Sequence, residues 1–206
     1  MNKIIQQIEP AGYPPALDHC LEVLHRTDAV APFAVFGGAP RDADYAAYHE
    51  TESRLNDYDV RVWLPGDDHE ERARQFVSRL GIAANTFIER VPSAGTFIVR
   101  YCLSYKGADM DVSIRTQPPC SPHVIESPAV ERVTSSLIGI SSIAIAPDRT
   151  VWATPEYLRD RNERTLTVYE DISTASDRDA KKWGEYVERM QQKFPEHTVV
   201  QYEGNA

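Results

Sequence analysis

At 206 residues, with 42 % hydrophobic and 26 % charged side chains, the chain suits one well-packed globular domain, or one domain with a short appendage. A formal charge of −9 works against a surface that holds nucleic acid by charge alone and leaves only local basic patches for that role. The three cysteines, Cys20, Cys102 and Cys120, are odd in number and unpaired in spacing. They fit neither a disulfide framework nor a zinc cluster and read as reduced, buried thiols. Met1 to Pro10 carries one lysine and no long apolar core, unlike a secretory signal, and no stretch reaches the roughly 18 apolar residues of a membrane span. A cytoplasmic protein with no membrane partner is expected.

Along the chain, Leu17, Cys20, Leu21 and Leu24 recur at helical spacing, with Asp18, Glu22 and Arg26 on the other side, and predict an amphipathic helix. Phe33 to Phe36 is a short apolar run suited to a buried strand. Gly37-Gly38 breaks it, and Pro40 predicts the first position of a helix running through Asp44 and Tyr48. Tyr58, Val60 and Val62 alternate with Asp57, Asp59 and Arg61, the period of a strand with one apolar face. Pro65-Gly66-Asp67 reads as a turn, and Ala73, Phe76, Val77 and Leu80 as a helix closed by Gly81. Thr96 to Tyr105 and Met110 to Arg115, joined by Lys106-Gly107-Ala108, read as a hairpin. The proline-rich stretch from Gln117 to Pro128 predicts a loop. Ile138 to Ala146 and Val151 to Ala153 then flank a turn at Pro147-Asp148, before a helix from Pro155 and a strand at Leu166 to Val168. Ala180, Trp183, Val187, Met190 and Phe194 mark a last helix from Asp177, stopped by Pro195 and followed by a loose tail. One α+β domain with a C-terminal helical segment is the expected fold class.

Three groups of residues carry chemistry. In a strand, residues two apart share a face, so Asp57 and Asp59 stand side by side. Like charges at that spacing repel unless a cation lies between them, and hard oxygen donors suit Mg²⁺ or Mn²⁺. An isolated Asp-x-Asp is common on the solvated face of an edge strand, so the pair needs support from elsewhere. Asp109 and Asp111 supply it on a second strand. If the two strands are neighbours, three carboxylates can converge, as two-metal phosphoryl transfer requires. Asp111, deeper in its strand, is the better third ligand, and Asp109 the better turn residue. Finally, Gly37-Gly38 before a helix allows a phosphate to approach backbone N–H groups, with Arg41-Asp42 one step further on. The six histidines, His19, His25, His49, His69, His123 and His197, show no ligand spacing.

Together these parts resemble the head domain of tRNA nucleotidyltransferases and bacterial poly(A) polymerases, within the DNA polymerase β-like nucleotidyltransferase superfamily. That pattern is an apolar strand, Gly-Gly-x-x-Arg-Asp, a helix, and Asp-x-Asp on the next strand. Here it reads Phe36-Gly37-Gly38-Ala39-Pro40-Arg41-Asp42, then Asp57-Tyr58-Asp59-Val60. A later hairpin with an acidic second strand matches Asp111, and Leu17 to Val168 covers the whole resemblance. The resemblance implies Gly37, Gly38, Arg41 and Asp42 around a nucleoside triphosphate such as ATP or CTP. It implies Asp57, Asp59 and Asp111 as catalytic metal ligands for Mg²⁺ or Mn²⁺. It implies an α+β fold with a mixed, mostly antiparallel sheet, flanking helices and a C-terminal helix, and divides the chain into a head-like domain at 1–170 and a C-terminal helix and tail at 171–206, packed on that domain.

Two departures limit the match. The family places Arg-Arg-Asp before an apolar segment, where this chain has Ser135-Ser136-Leu137, with Arg132 the nearest basic substitute upstream. The neck, body and tail that hold tRNA would follow the head, whereas only the helix to Phe194 and a short tail remain here. The expected activity is therefore metal-dependent transfer of a nucleoside monophosphate from an NTP to a hydroxyl acceptor, with pyrophosphate released. The acceptor is an RNA end, a protein or a small molecule. The alternative is a non-catalytic nucleotide-binding, RNA-binding or protein-interaction module that retains the head fold.

Overall fold

Successive side chains of a strand point to opposite faces, and here large apolar residues on one face alternate mostly with alanines or polar residues on the other. A computed structural model of the chain describes residues 3–15, 17–18, 21–22, 32–53, 57–63, 71, 75, 78–79, 84–85, 98–105, 108–115, 127–169 and 177–202, and for 84–85, 98–105, 108–115 and 177–179 the backbone alone. Ten strands are described: β1 Gln6–Ile8, β2 Phe33–Phe36, β3 Asp57–Trp63, β4 Ala84–Asn85, β5 Ile98–Tyr105, β6 Ala108–Arg115, β7 Ile143–Ile145, β8 Val151–Ala153, β9 Thr165–Val168 and β10 Thr198–Gln201. The helices are α1 Gly38–Tyr48, α2 Pro128–Thr134, α3 Pro155–Glu163 and α4 Asp177–Lys193, with a 3₁₀ turn at Gly139–Ser141.

Eight strands form one sheet in the order β1-β8-β7-β2-β3-β6-β5-β4, and β9 and β10 form a second. In the large sheet every pair is antiparallel except β3 with β6. This is the mixed, mostly antiparallel α+β fold that the sequence predicts. The hairpin falls where expected, with Tyr105 opposite Ala108. Cys20 and Leu24, the turn at 65–67, the helical positions 73, 76, 77, 80 and 81, the 106–107 turn and the loop at 117–126 lie outside the described residues.

One face of the sheet carries the main core. Phe33, Val35, Tyr58, Val60, Val62, Ile143 and Ile145 meet Leu17 and Leu21, Ala39 of α1, Tyr157 of α3, and Met190 and Phe194 at the end of α4. The opposite face carries a smaller cluster, Ala34, Ala144 and Ala146 under Ala129 and Val133 of α2, with Phe36 and Trp152 alongside. The alanines are what this face requires, because α2 lies close over it.

Helix boundaries follow local chemistry. Ser127 and Thr154 cap α2 and α3 with side-chain oxygens, and Pro128 and Pro155 sit in their first turns. Helix α1 begins two residues earlier than the sequence suggests, at Gly38, so Pro40 is its third residue. That position is tolerated because first-turn N–H groups have no helical partner to lose. The expected loose tail is also corrected. Thr198 to Gln201 pairs parallel with β9 from Thr165 to Val168, closing a strand–helix–strand unit through α4. Val199 and Val200, both β-branched, suit that pairing.

Helices α1 and α3 are locked by one buried carboxylate. Asp44 is fully buried and accepts from the Tyr157 hydroxyl, from Arg161 Nη1 at 2.9 Å and from the Ala11 backbone N–H. Burial, then the Asp44 charge, holds the Tyr157 phenol well above its ordinary range, so the hydroxyl remains a donor. Removing the carboxylate strands a guanidinium in the core. Asp44→Ala is expected to cost roughly 3–5 kcal/mol in urea unfolding, and Tyr157→Phe about 1–3 kcal/mol.

His197 follows α4 and packs against the rings of Tyr45 and Phe194, its side chain fully buried. Neither ring nitrogen has a hydrogen-bond partner among the described residues. Burial pushes its pKa down; Glu196 opposes this, and the charges of Arg164 and His49 reinforce it. A depressed histidine binds fewer protons folded than unfolded, so stability is complete above the ordinary value of 6.5 and is lost as the pH falls below it. Thermal scans are expected to show Tm dropping by a few degrees between about pH 7 and pH 5, with a smaller drop in His197→Phe.

Candidate active site

Burial falls steadily along one face of β3. Trp63 and Arg61 are buried, Asp59 is half-buried and Asp57 is exposed. Helix α2 causes the gradient by covering one end of this face, where Glu131 Oε2 accepts from Trp63 Nε1 at 2.9 Å. The other end carries both carboxylates, Asp59 half-buried and Asp57 exposed. Sequence periodicity predicts the shared face, and the structure brings two further elements to it.

The first is the Gly37 turn. Phe36 stands opposite Asp59 in the β2–β3 ladder, so the turn after β2 runs directly over that carboxylate. Gly37 has φ +74° and ψ −130°, backbone that only glycine adopts at low cost, and a Cβ there would overlap Asp59 Oδ2. The close approach and the turn therefore require the same residue. Helix α1 starts immediately afterwards, with no side-chain cap and no acidic residue in its first turn. Its N-terminal N–H groups and the positive end of its dipole lie beside the acidic pair.

The second is β6. Its parallel register with β3 sets Asp57 opposite Asp109 and Asp59 opposite Asp111. Positions 57, 59, 109 and 111 thus belong to one face of adjacent strands. The Asp109 and Asp111 side chains are outside what the structure describes. Among the described residues no group of three or more His, Cys, Asp or Glu lies close enough to hold an ion. The donors that are described fit a hard divalent cation: two carboxylates on one strand face, one exposed and one half-buried.

Arg41 and Asp42 are drawn into the protein. Arg41 is 5 % exposed, its Nε donates to Asp42 Oδ1 at 2.7 Å, and its Nη1 reaches Ser141 Oγ at 3.3 Å and Met190 Sδ at 3.6 Å. Lys193 of α4 pairs with the second Asp42 oxygen. Arg41 Nη2 makes no hydrogen bond among the described residues and lies 3.5 Å from where a Gly38 Cβ would stand. The contacts to Ser141, Met190 and Lys193 link residues far apart in sequence, and no local pattern signals them.

The Ser135-Ser136-Leu137 segment forms the end of α2 and the connection beyond it, with Ser135 as the C-cap. One turn back, the Arg132 guanidinium lies 4.0 Å over the ring of Phe36, the residue opposite Asp59. A positive charge therefore borders the acidic end of the sheet from α2, one helical turn from the expected position.

No protein-family model matches the chain, and no curated protein does. Among solved structures, the chain is similar to an apo form of a CCA-adding enzyme, with a TM-score of 0.60 and 16 % sequence identity. The similarity covers 98 % of this chain and 44 % of that one, so the chain spans less than half of the enzyme's length. This likeness shows a nucleotidyltransferase-like fold. No helix among the described residues is long and apolar enough to cross a membrane.

The two glycines are expected to differ. Gly37→Ala combines unfavourable backbone with overlap on Asp59 and should cost about 1–3 kcal/mol in thermal or urea unfolding. In Gly38→Ala the new Cβ meets only ordinary contacts, with Arg41 Nη2 and Asp42 Oδ2. Its stability should stay within about 0.5 kcal/mol of the parent.

Proposed function

We propose that the protein is a metal-dependent nucleotidyltransferase that moves a nucleoside monophosphate from an NTP to a hydroxyl acceptor. The observation that carries this reading is the seating of Asp59 against Gly37 at the start of α1, with position 111 in register on the neighbouring strand. The arrangement sets carboxylates beside an uncapped helix N-terminus. A polyphosphate bridged by cations needs both, because the carboxylates hold the cations and the N–H groups meet phosphate oxygens.

In this reading Asp57, Asp59 and Asp111 hold Mg²⁺ or Mn²⁺, and Gly37 and Gly38 leave room for the triphosphate of ATP or CTP. Arg41 and Asp42 shape the turn from beneath. Divalent cations bound there supply charge neutralisation on the phosphates and a lower pKa for the attacking hydroxyl. The acceptor oxygen forms a bond to the α-phosphorus as the bond from that phosphorus to the α,β-bridging oxygen breaks, pyrophosphate leaves, and the hydroxyl proton passes to solvent water. Helix α1 and Arg132 place positive potential where the leaving pyrophosphate gathers negative charge. The solved neighbour is a CCA-adding enzyme; that activity, carried to this chain, makes an RNA end one acceptor, beside a protein side chain and a small molecule.

A second reading is favoured by the engagement of Arg41 and Asp42 inside the fold and by the serines that replace the family's basic triplet. It makes the chain a non-catalytic nucleotide-binding or partner-binding module. Pyrophosphate release from the four NTPs, assayed with RNA, protein and small-molecule acceptor pools, separates the two. Turnover with any acceptor excludes the module. In the enzyme reading, Asp57→Asn and Asp59→Asn should each lower incorporation of α-labelled nucleotide by about a thousandfold or more, equivalent to several kcal/mol of charge stabilisation. Incorporation that persists in both variants refutes the reading.

A further inference from the structure

The C-terminal helix touches Arg41 and Asp42, the residues of α1 that follow the Gly37–Gly38 turn, and the nearby Ser141, through side chains that the reaction itself does not use. Tyr186 donates its hydroxyl to Ser141 Oγ at 3.0 Å, and the same oxygen receives Arg41 Nη1 at 3.3 Å. Met190 Sδ takes a second contact from Nη1, and the Arg41 guanidinium lies 5.5 Å from the Phe194 ring centroid. Lys193 pairs with Asp42, whose other oxygen is already bonded to Arg41 Nε. Met190 and Lys193 near the end of α4, with Phe194 just past it, thus meet two consecutive residues of α1, and Tyr186, one turn earlier, meets Ser141, which also receives Arg41.

This arrangement does more than bury apolar surface. A guanidinium presents its donors in a fixed planar fork, so occupying two edges determines the direction of the third. With Nε on Asp42 and Nη1 on Ser141 and Met190, the Nη2 edge lies beside Gly38. Asp42 is held on both sides, and its partner Lys193 is exposed, with 39 % of its side chain accessible. An apolar helix docked for packing alone would need neither the Tyr186 hydroxyl nor the Lys193 ammonium.

We infer that α4 is a working part of the site, with Tyr186 and Lys193 as positioning residues that act through Ser141, Arg41 and Asp42 on the Gly37–Gly38 turn. The triphosphate component of this inference rests on the proposed function; the ordering of the turn does not. Ordering by α4 removes conformations that the turn would otherwise lose on binding, so triphosphate affinity rises without a direct contact from α4.

The test compares the full chain with Tyr186→Phe, Lys193→Met and their combination, changes that keep the apolar stems and so retain the packing. Hydrogen exchange is followed at residues 37–42. Calorimetry measures binding of the α,β-methylene analogue of ATP with Mg²⁺, and Mn²⁺ alone is titrated by electron paramagnetic resonance. The double variant should exchange faster at 37–42 and bind the analogue about tenfold more weakly, with Mn²⁺ affinity unchanged. Lys193→Arg should restore the parent behaviour. Exchange at 37–42 equal to the parent overturns the inference, as does undiminished analogue binding by the double variant. If the parent binds no analogue, the proposed function fails at that point, and exchange alone then decides whether α4 orders the turn.

Discussion

The contact between the Asp59 carboxylate and the α-carbon of Gly37 constrains everything around it. The carboxylate can sit there only because residue 37 has no side chain and adopts a positive φ. The chain can turn there only because β2 pairs with β3 so that Phe36 faces Asp59. Once both conditions hold, α1 must begin directly over the acidic strand. The start of α1 beside Asp59 then follows from ordinary helix geometry, while the β6 register that sets Asp111 opposite Asp59 is a separate property of the sheet.

That contact needs a rigid support, and the support is polar as well as apolar. The large core lies on the face away from the carboxylates, and within it Asp44 joins α1, α3 and the segment at Ala11. A second buried acid, Asp160, accepts from Thr165 and twice from Thr167, holding α3 on β9 and filling the space beside Gly139. Burial pushes its pKa up against the opposing pull of those hydrogen bonds. Such fully partnered buried acids favour one arrangement of the elements over others, since a shifted helix would leave a charge without donors. The opposite face is built from alanines and a short helix, which covers the Trp63 end of β3.

The C-terminal unit joins these two halves. β9, α4 and β10 bring Met190 and Phe194 into the main core, and the same face of α4 meets Arg41 and Asp42. Around His197 the unit also concentrates titratable groups. Burial, then the Glu196 hydrogen bond and charge, raises Tyr45 to about 12. Burial also acts upward on Glu196, but its own backbone N–H, the Tyr45 hydroxyl and the charges of His197 and Arg164 hold it below the ordinary range. His197, held below its ordinary pKa by burial, is the group of this cluster that responds to mild acid.

Period-two alternation in 57–63 placed Asp57 and Asp59 on one strand face, and a Gly pair between an apolar strand and a helical pattern located the turn. Both are local properties, set by backbone geometry within a few residues. The C-terminal helix was legible for the same reason, since it buries an apolar stripe visible in its own sequence, whereas the mixed, mostly antiparallel sheet followed from the family pattern that the motifs resemble. Register was not legible. The pairing of Phe36 with Asp59 and of Asp59 with Asp111 depends on which faces are buried together across the whole sheet. Nor could the sequence show that Lys193 pairs with Asp42, that Tyr186 reaches Ser141, or that Thr198 to Gln201 forms a strand beside β9. Those contacts join residues brought close only by tertiary packing. The acidic pair was therefore written in the sequence, whereas its seat against Gly37 was decided by the fold.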